Sequence, residues 1–179
     1  MGLVGVAIFV NGTVGAGKTA TADALGDLLR RRQIPHAVID LDRLRQAWPP
    51  AEGDPFNHGL ELANLKAMAS NYLAAGMTTL VIAGVIELKA AVAQYKEALD
   101  QWQLFIVRLT AEEAVRRNRI EERHIADPPG REWHLRRTLE LETILEAARL
   151  EDAVIDTSVC SPSEVAQRVL EAVMADRPQ

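Results

Sequence analysis

The chain has 179 residues, 48% of them hydrophobic and 25% charged, with a net charge of −5 and a pI near 5.4. That length suits one globular domain, residues 1–179, with a sizeable core; the acidic balance argues against a generic polyanion binder, so no nucleic-acid partner is expected. One cysteine, Cys160, excludes an internal disulfide and a thiolate zinc cluster, and points to a reducing, cytoplasmic setting.

Val4 to Val10 (VGVAIFV) is a short apolar, β-branched run, as expected for a strand buried on both faces. It lacks a basic leader and a small-residue cleavage site and is far too short to cross a bilayer, so no membrane partner is expected. Val6 stands where a myristoylation pattern after Met1-Gly2 wants Ser or Thr. Next comes GTVGAGKT, residues 12–19, which fits G-x-x-x-x-G-K-[ST], the Walker A phosphate loop. Glycines let successive N–H groups turn toward phosphate oxygens with no Cβ in the way, and the following helix points its positive end at the same anion. Gly12, Thr13, Val14, Gly15, Ala16 and Gly17 therefore form the expected nucleotide cradle. Lys18 is placed to reach the terminal phosphates, and Thr19 to hold Mg²⁺. The required context is present: a strand precedes, and Ala20, Ala24, Leu25, Leu28 and Leu29 recur at helical spacing up to Arg32.

The remaining strands are expected at Ala37–Ile39, Thr79–Ile82, Leu104–Leu109 and Ala153–Ile155. Helices are expected near 18–32, 58–75, 88–100, 111–124, 132–149 and 162–175. This alternation predicts an α/β fold, a parallel sheet with helices on both faces. Thr110-Ala-Glu-Glu113 and Ser161-Pro-Ser-Glu164 read as capping boxes, the second with Pro162 at the first helical position, and Gly76 closes the helix before it. The two long connections, Trp48 to Asn57 and Ile125 to Arg131, are rich in Pro and Gly. In a parallel sheet ligands bind beyond the carboxyl ends of the strands, so both segments are expected to cover substrate.

The second strand runs into Val38-Ile-Asp40-Leu-Asp42-Arg43-Leu-Arg45, at the same rim as the phosphate loop. Phosphoryl transfer needs Mg²⁺ on hard oxygen ligands and a carboxylate that orients or deprotonates the acceptor hydroxyl, tasks that Asp40 and Asp42 can divide. Asp42 also suits a helix N-cap ahead of Arg43 to Ala47. Arg43 and Arg45 suit either an anionic acceptor or a solvated helix face. Farther on, Arg116, Arg119 and Arg123 share one helical face, with Arg131 beyond. One guanidinium there is expected to stabilise the migrating phosphoryl charge and another to stack on adenine, against the plainer reading of a charged helix paired with Glu112, Glu113, Glu121 and Glu122. His36, His58, His124 and His134 have no ligand spacing. Trp102 and Trp133 read as packing residues, while Trp48 sits in an acceptor loop where it can stack on a ring.

These motifs resemble a known group of enzymes. The phosphate loop, "VIDLDRLR", "ELANLKAMASNYLAAGMTTLV" and "AVIDTSVCSPSEVAQRVLEAV" resemble adenylylsulfate kinases in order and spacing over most of the chain. More broadly the chain is similar to the small P-loop kinases that include chloramphenicol phosphotransferase, gluconate kinase and shikimate kinase. The resemblance implies a P-loop NTPase three-layer fold: a five-stranded parallel sheet in the order 2-3-1-4-5 with a short lid, about residues 119–137. It also implies ATP and Mg²⁺ as cofactors and transfer to a hydroxyl of a small molecule, an antibiotic or a metabolite. By match to the family's DGDxxR stretch, it assigns Asp42 as acceptor-side base and Asp40 as an aid to Mg²⁺. Asp156 to Ser158 match the strand-end segment near adenine. This chain differs in three places: Leu41 stands between the two aspartates, the lid "RNRIEERHIADPPGR" is more similar to those of sugar and metabolite kinases, and Glu87 follows a third strand whose end lacks the aspartate common in relatives.

The catalytic set expected is thus Lys18, Asp42, Arg119 and Arg123. Arg116 and Ser158 join the phosphate loop at the nucleotide, Asp40, Arg45, Trp48 and Glu87 join Asp42 at the acceptor, and Thr19 and Asp40 hold the metal. A nucleotide-hydrolysing switch needs a guanine-reading Asn-Lys-x-Asp after the fourth strand, which this sequence lacks. An ATP-binding sensor or regulatory module without phosphotransfer is the alternative. The third strand favours it, and Lys18, Thr19 and Asp42 oppose it. The apolar helix from Gly59 to Ala75 suits a core or a dimer face, so the chain is expected as a monomer or homodimer.

Overall fold

The computed structural model describes residues 5–176; Val4, expected to open the first strand, lies outside them, as do Met1 and Gly2. In chain order come β1 (Gly5–Gly12), α1 (Lys18–Arg31), β2 (His36–Asp40), α2 (Leu41–Leu44), α3 (His58–Ala74) and β3 (Thr79–Ala83). They are followed by α4 (Lys89–Ala98), β4 (Trp102–Thr110), α5 (Glu113–Arg123), α6 (Pro128–Ala148), β5 (Ala153–Asp156) and α7 (Pro162–Asp176). The five strands form one all-parallel sheet in the order β2-β3-β1-β4-β5.

β1 lies at the centre, and its two-residue period divides the core. Val6, Ile8 and Val10 pack with Leu25 and Leu29 of α1 and Val165 and Val169 of α7. Ala7 and Phe9 face the other way, toward Leu65 of α3 and Tyr95 of α4. Both faces of the strand are therefore apolar, which is why VAIFV reads as a run rather than an alternation. Order 2-3-1-4-5 reverses direction between β1 and β3, and there the loops after the strands part to leave a crevice.

Three helix starts differ from the sequence expectation, each for a local reason. Thr110 does not cap α5. It ends β4, where its carbonyl accepts from Thr157 N–H at 2.9 Å, and the helix starts later, at Glu113. α6 starts four residues before position 132 because Asp127 accepts from Gly130 N–H at 3.1 Å and Pro128 and Pro129 fill first-turn positions that need no N–H. The acid that caps α2 is Asp40, whose Oδ1 accepts from Asp42 N–H at 3.0 Å, so the Asp42 side chain is not spent on the cap and pairs with Arg45 instead. The Ser161–Glu164 capping box forms as expected, with Ser161 N–H and Glu164 N–H bonded reciprocally to the opposite side chains at 2.8 and 3.3 Å.

Candidate functional site

A cleft of about 750 Å³ opens at the carboxyl ends of the strands and is lined from both halves of the chain. One end is the phosphate loop. Gly15 (φ +79°) and Gly17 (φ +95°) occupy the left-handed region, and a Cβ on Gly15 would meet the Arg116 carbonyl at 2.8 Å. The loop carbonyls are held from behind. Thr138 Oγ1 donates to Val14 O at 2.8 Å, Arg119 Nη1 to Gly15 O at 3.2 Å, and Thr157 Oγ1 to Ala16 O at 3.0 Å. On the peptide planes of Val14 and Ala16 the N–H groups of Gly15 and Gly17 then point away from those braces, the arrangement of an anion nest. Arg119 is fixed again by Thr157, through Oγ1 at 3.0 Å and the carbonyl at 2.9 Å.

Lys18 is half-buried on the cleft floor, with Nζ donating to Gly12 O at 3.0 Å and Thr13 O at 2.9 Å. Burial lowers its pKa from 10.5 to about 8; Asp42 and Asp40 oppose that shift, and the nearby Arg123 guanidinium adds to it. Among the described residues Arg123 makes no ion pair; its Nε donates to His124 Nε2 at 3.1 Å, and it lines the cleft.

The other end gathers around the carboxylates after β2. Thr19 Oγ1 donates to Asp40 Oδ2 at 3.3 Å, joining the phosphate loop to the neighbouring strand. The Asp42 side chain is 81% exposed, into the cleft. Arg45 Nη2 lies 3.3 Å from it, and Arg45 Nε lies 2.9 Å from Glu61 Oε2, an ionic contact rather than an aligned hydrogen bond. Glu61 is wholly buried on α3 and accepts from Tyr95 Oη. Its burial raises its pKa, and Tyr95 is raised too, by its own burial first and by Glu61 second. Glu87, in the segment after β3, pairs with Arg137 of α6, which also lies 3.2 Å from Glu140.

Lys18, Thr19, Asp40, Asp42, Arg45, Glu87, Arg119 and Arg123 are thus brought to one cleft, with Val14, Gly15 and Gly17 at its wall. Gly12, Thr13 and Ala16 are buried within the loop and do not line the cleft, and three other expected residues stand apart. Arg116 is turned inward, 2% exposed, with both terminal nitrogens on the Glu142 carboxylate. Ser158 holds the start of α5, accepting from Glu112 N–H at 2.9 Å while it donates to Asp156. Trp48 is 89% exposed on the 48–57 loop, whose Phe56 is the residue that lines the cleft. Glu61 and Arg137 carried a weaker signal. Glu61, Leu65 and Ala69 form the buried stripe of α3 at helical spacing, so an acid on an apolar stripe was visible; the partner of Arg137 lies 50 residues away and leaves no local trace.

The family described as Zeta toxin matches residues 5–159. The chain belongs to the Zeta toxin family. In this Zeta toxin family member the match runs from the first described residue of β1 past the end of β5, so it covers every residue placed at the cleft. Among solved structures, the chain is similar to shikimate kinase from Acinetobacter baumannii in complex with shikimate, with TM-score 0.61 and 19% identity over 98% of this chain and 96% of that one. It is similar to the Deinococcus radiodurans tunicamycin resistance protein, with TM-score 0.63 and 22% identity over 94% and 95%. It is also similar to the Mycobacterium tuberculosis APS kinase in complex with AMPPNP and APS, with TM-score 0.59 and 18% identity over 96% and 99%. These likenesses are of fold, and at that level the resemblance to small P-loop kinases holds. No curated protein matches the chain. No helix among the described residues is long and apolar enough to cross a membrane.

The residues fit a nucleotide triphosphate and its metal. A nest of N–H groups, a half-buried ammonium and a guanidinium without an ion pair among the described residues face one end of the cleft, which a hydroxyl–carboxylate pair, Thr19 and Asp40, and Asp42 also line. Those two oxygens, a hydroxyl and a carboxylate, are of the hard type that would hold Mg²⁺.

Proposed function

We propose that the chain is a small-molecule kinase that moves the terminal phosphate of ATP-Mg²⁺ to a hydroxyl, within one domain whose lid spans about residues 119–137. One observation carries this reading: Asp42 shares a cleft with the phosphate loop, close enough for its charge to act on the Lys18 ammonium. Phosphate binding alone requires no exposed acid there. The kinases of shikimate and APS named above support the reading through their shared fold, an argument by analogy.

Each residue then has a task. Gly15 and Gly17 bind phosphate oxygens through the main chain, and Lys18 and Arg123 stabilise the charge on the migrating group. Arg119, tied to Gly15 and Thr157, braces the loop and presents its guanidinium edge near the nucleotide. Thr19 and Asp40 would hold Mg²⁺, which when bound neutralises charge on the phosphate oxygens. Asp42 accepts the proton of the acceptor hydroxyl as its oxygen bonds to the γ-phosphorus and the bond to the β–γ bridging oxygen breaks, leaving ADP. Arg45 holds Asp42, and Glu61 with Tyr95 holds Arg45. Arg116 and Ser158 act on the nucleotide only indirectly, by placing α5.

The test is to follow label from ATP-Mg²⁺ by mass spectrometry into a panel of sugar acids, nucleosides, adenylylsulfate, aminoglycosides and aromatic alcohols. A phosphorylated product is expected. The rival reading, a binding module, draws on Ala83 and Gly84 standing where a third-strand carboxylate would be and on Glu87 being engaged by Arg137; tight ATP binding with only slow hydrolysis would favour it.

A further inference from the structure

We infer that Thr138 of α6 is a positioning residue for the phosphate-binding nest, acting on the ligand only through the Val14–Gly15 peptide. This deepens the kinase reading and rests on its phosphate-loop assignment. Thr138, Leu141 and Leu145 form the buried stripe of α6, so a hydroxyl stands where helical spacing asks for an apolar side chain. Thr138 is 3% exposed and does not line the cleft. A threonine inside a helix commonly satisfies its hydroxyl on the carbonyl four residues back in its own helix. Thr143, on the same helix, does so, donating to Leu139 O at 3.4 Å. Thr138 instead reaches off the helix to Val14 O at 2.8 Å, 124 positions back in the chain.

That bond fixes a direction. In a trans peptide the C=O and N–H point opposite ways, so a carbonyl held toward α6 turns the Gly15 N–H toward the cleft. Gly15 sits so close to the main chain of Arg116 that a Cβ would meet its carbonyl at 2.8 Å, and the peptide is therefore held between α5 and α6. The donor is itself fixed. Beside Thr138, Arg137 pairs with Glu87, and one turn on, Glu142 holds both terminal nitrogens of Arg116. The other two braces have more than one task. Arg119 lines the cleft as well as bonding Gly15 O, and the Thr157 hydroxyl is shared between Ala16 O and Arg119. Among the described residues the Thr138 side chain makes one hydrogen bond, to this one peptide. Without it, Val14 O is free to turn toward the cleft, where a carbonyl oxygen repels phosphate.

The test reads affinity by calorimetry for two probes, tripolyphosphate-Mg²⁺ and a non-hydrolysable ATP analogue with Mg²⁺. Thr138→Val keeps the shape and removes the donor. It should raise both dissociation constants by the same factor, roughly five- to tenfold, because the loss lies in the phosphate contacts that the probes share. Thr138→Ser keeps the donor and should stay within about twofold of the unaltered chain. Leu145→Val trims the same buried stripe, so it should lower the melting temperature and leave both affinities unchanged, which separates positioning from packing. Where the valine methyl is not accommodated, Thr138→Ala should show the same loss. Unchanged affinities in the variants that lack the donor would overturn the inference, as would a serine variant as weak as they are. So would affinity that follows melting temperature through Leu145→Val. In the unaltered chain the Gly15 amide proton should move downfield when tripolyphosphate-Mg²⁺ is added; a resonance that stays still while calorimetry records binding would also overturn it. None of these readings needs turnover, so their failure is distinct from that of the kinase reading, which would show as absence of label transfer from a nucleotide that binds.

Discussion

The two ends of the cleft are built in opposite ways. The proposed phosphate end is one contiguous stretch, Gly12 to Thr19, whose main chain supplies the N–H nest and whose carbonyls are braced from behind by Arg119, Thr138 and Thr157. The acceptor end is assembled from side chains of five separate segments: Asp42 and Arg45 around α2, Phe56, Glu61 on α3, Glu87 after β3, and Arg137 on α6. A main-chain nest recognises what all nucleoside triphosphates share. In the proposed reading, paired side chains from separate segments select one acceptor, and can change without disturbing the nest.

That division makes separable predictions, and the largest effect belongs at the phosphate end. Lys18→Ala removes the half-buried ammonium beside the nest, so ATP affinity and transfer should fall together, transfer by roughly three orders of magnitude. Calorimetry with ATP-Mg²⁺ and the label-transfer assay would read both; wild-type turnover would sink the phosphate-loop assignment. Asp42→Asn should act on one quantity only. Nucleotide affinity stays near that of the unaltered chain while transfer drops by roughly 10²–10⁴, the range for a lost general base. If both quantities fell by the same factor, the two ends would not be independent.

The same contrast explains what could be read from the sequence. Strand order and element order follow from apolar runs, from helical spacing and from the resemblance, and GTVGAGKT alone places Gly15, Gly17, Lys18 and Thr19 because their geometry is local. Asp40 and Asp42 were legible because the first ends a strand beside that loop and the second follows it by two residues. Arg116 was not: its spacing puts it on one face with Arg119 and Arg123, but Glu142, 26 residues on, draws its guanidinium inward. Trp48 was expected at the acceptor, yet Phe56 of the same loop lines the cleft, a choice made by loop shape rather than composition. The Thr110 capping box failed because sheet pairing with β5 had already claimed that residue.

The acceptor end can be divided further. Arg45→Ala should cut kcat about tenfold through a misplaced Asp42, with ATP affinity unchanged, and should also lower stability by about 2 kcal/mol because Glu61 is left buried without its partner cation. Adding Glu61→Gln removes the stranded charge. The double variant should regain most of the melting temperature but none of the rate. Recovery of both would mean that Arg45 serves the fold alone, and recovery of neither would mean that Glu61 has a task beyond holding Arg45.

The smallest effect is a pH dependence peculiar to the phosphate end. In its proposed role Lys18 binds phosphate as the ammonium, and burial brings its pKa down to about 8, so the binding form begins to disappear just above neutrality. For a single proton with that pKa, the dissociation constant of ATP-Mg²⁺ should rise about threefold between pH 7.5 and 8.5 and keep rising beyond, whereas an ordinary lysine would leave it flat. Folding responds in the opposite direction. In the unfolded chain Lys18 holds its proton up to about 10.5, so between about pH 8 and 10.5 the unfolded state binds more protons and this group makes the folded state more stable as pH rises. Affinity falling while the melting temperature of the nucleotide-free protein gains a Lys18-dependent rise, both absent in Lys18→Ala, is a signature that general alkaline unfolding cannot imitate. A flat affinity across that window would mean that Lys18 keeps its charge, and that the nest owes its phosphate binding to an ammonium better hydrated than this cleft floor allows.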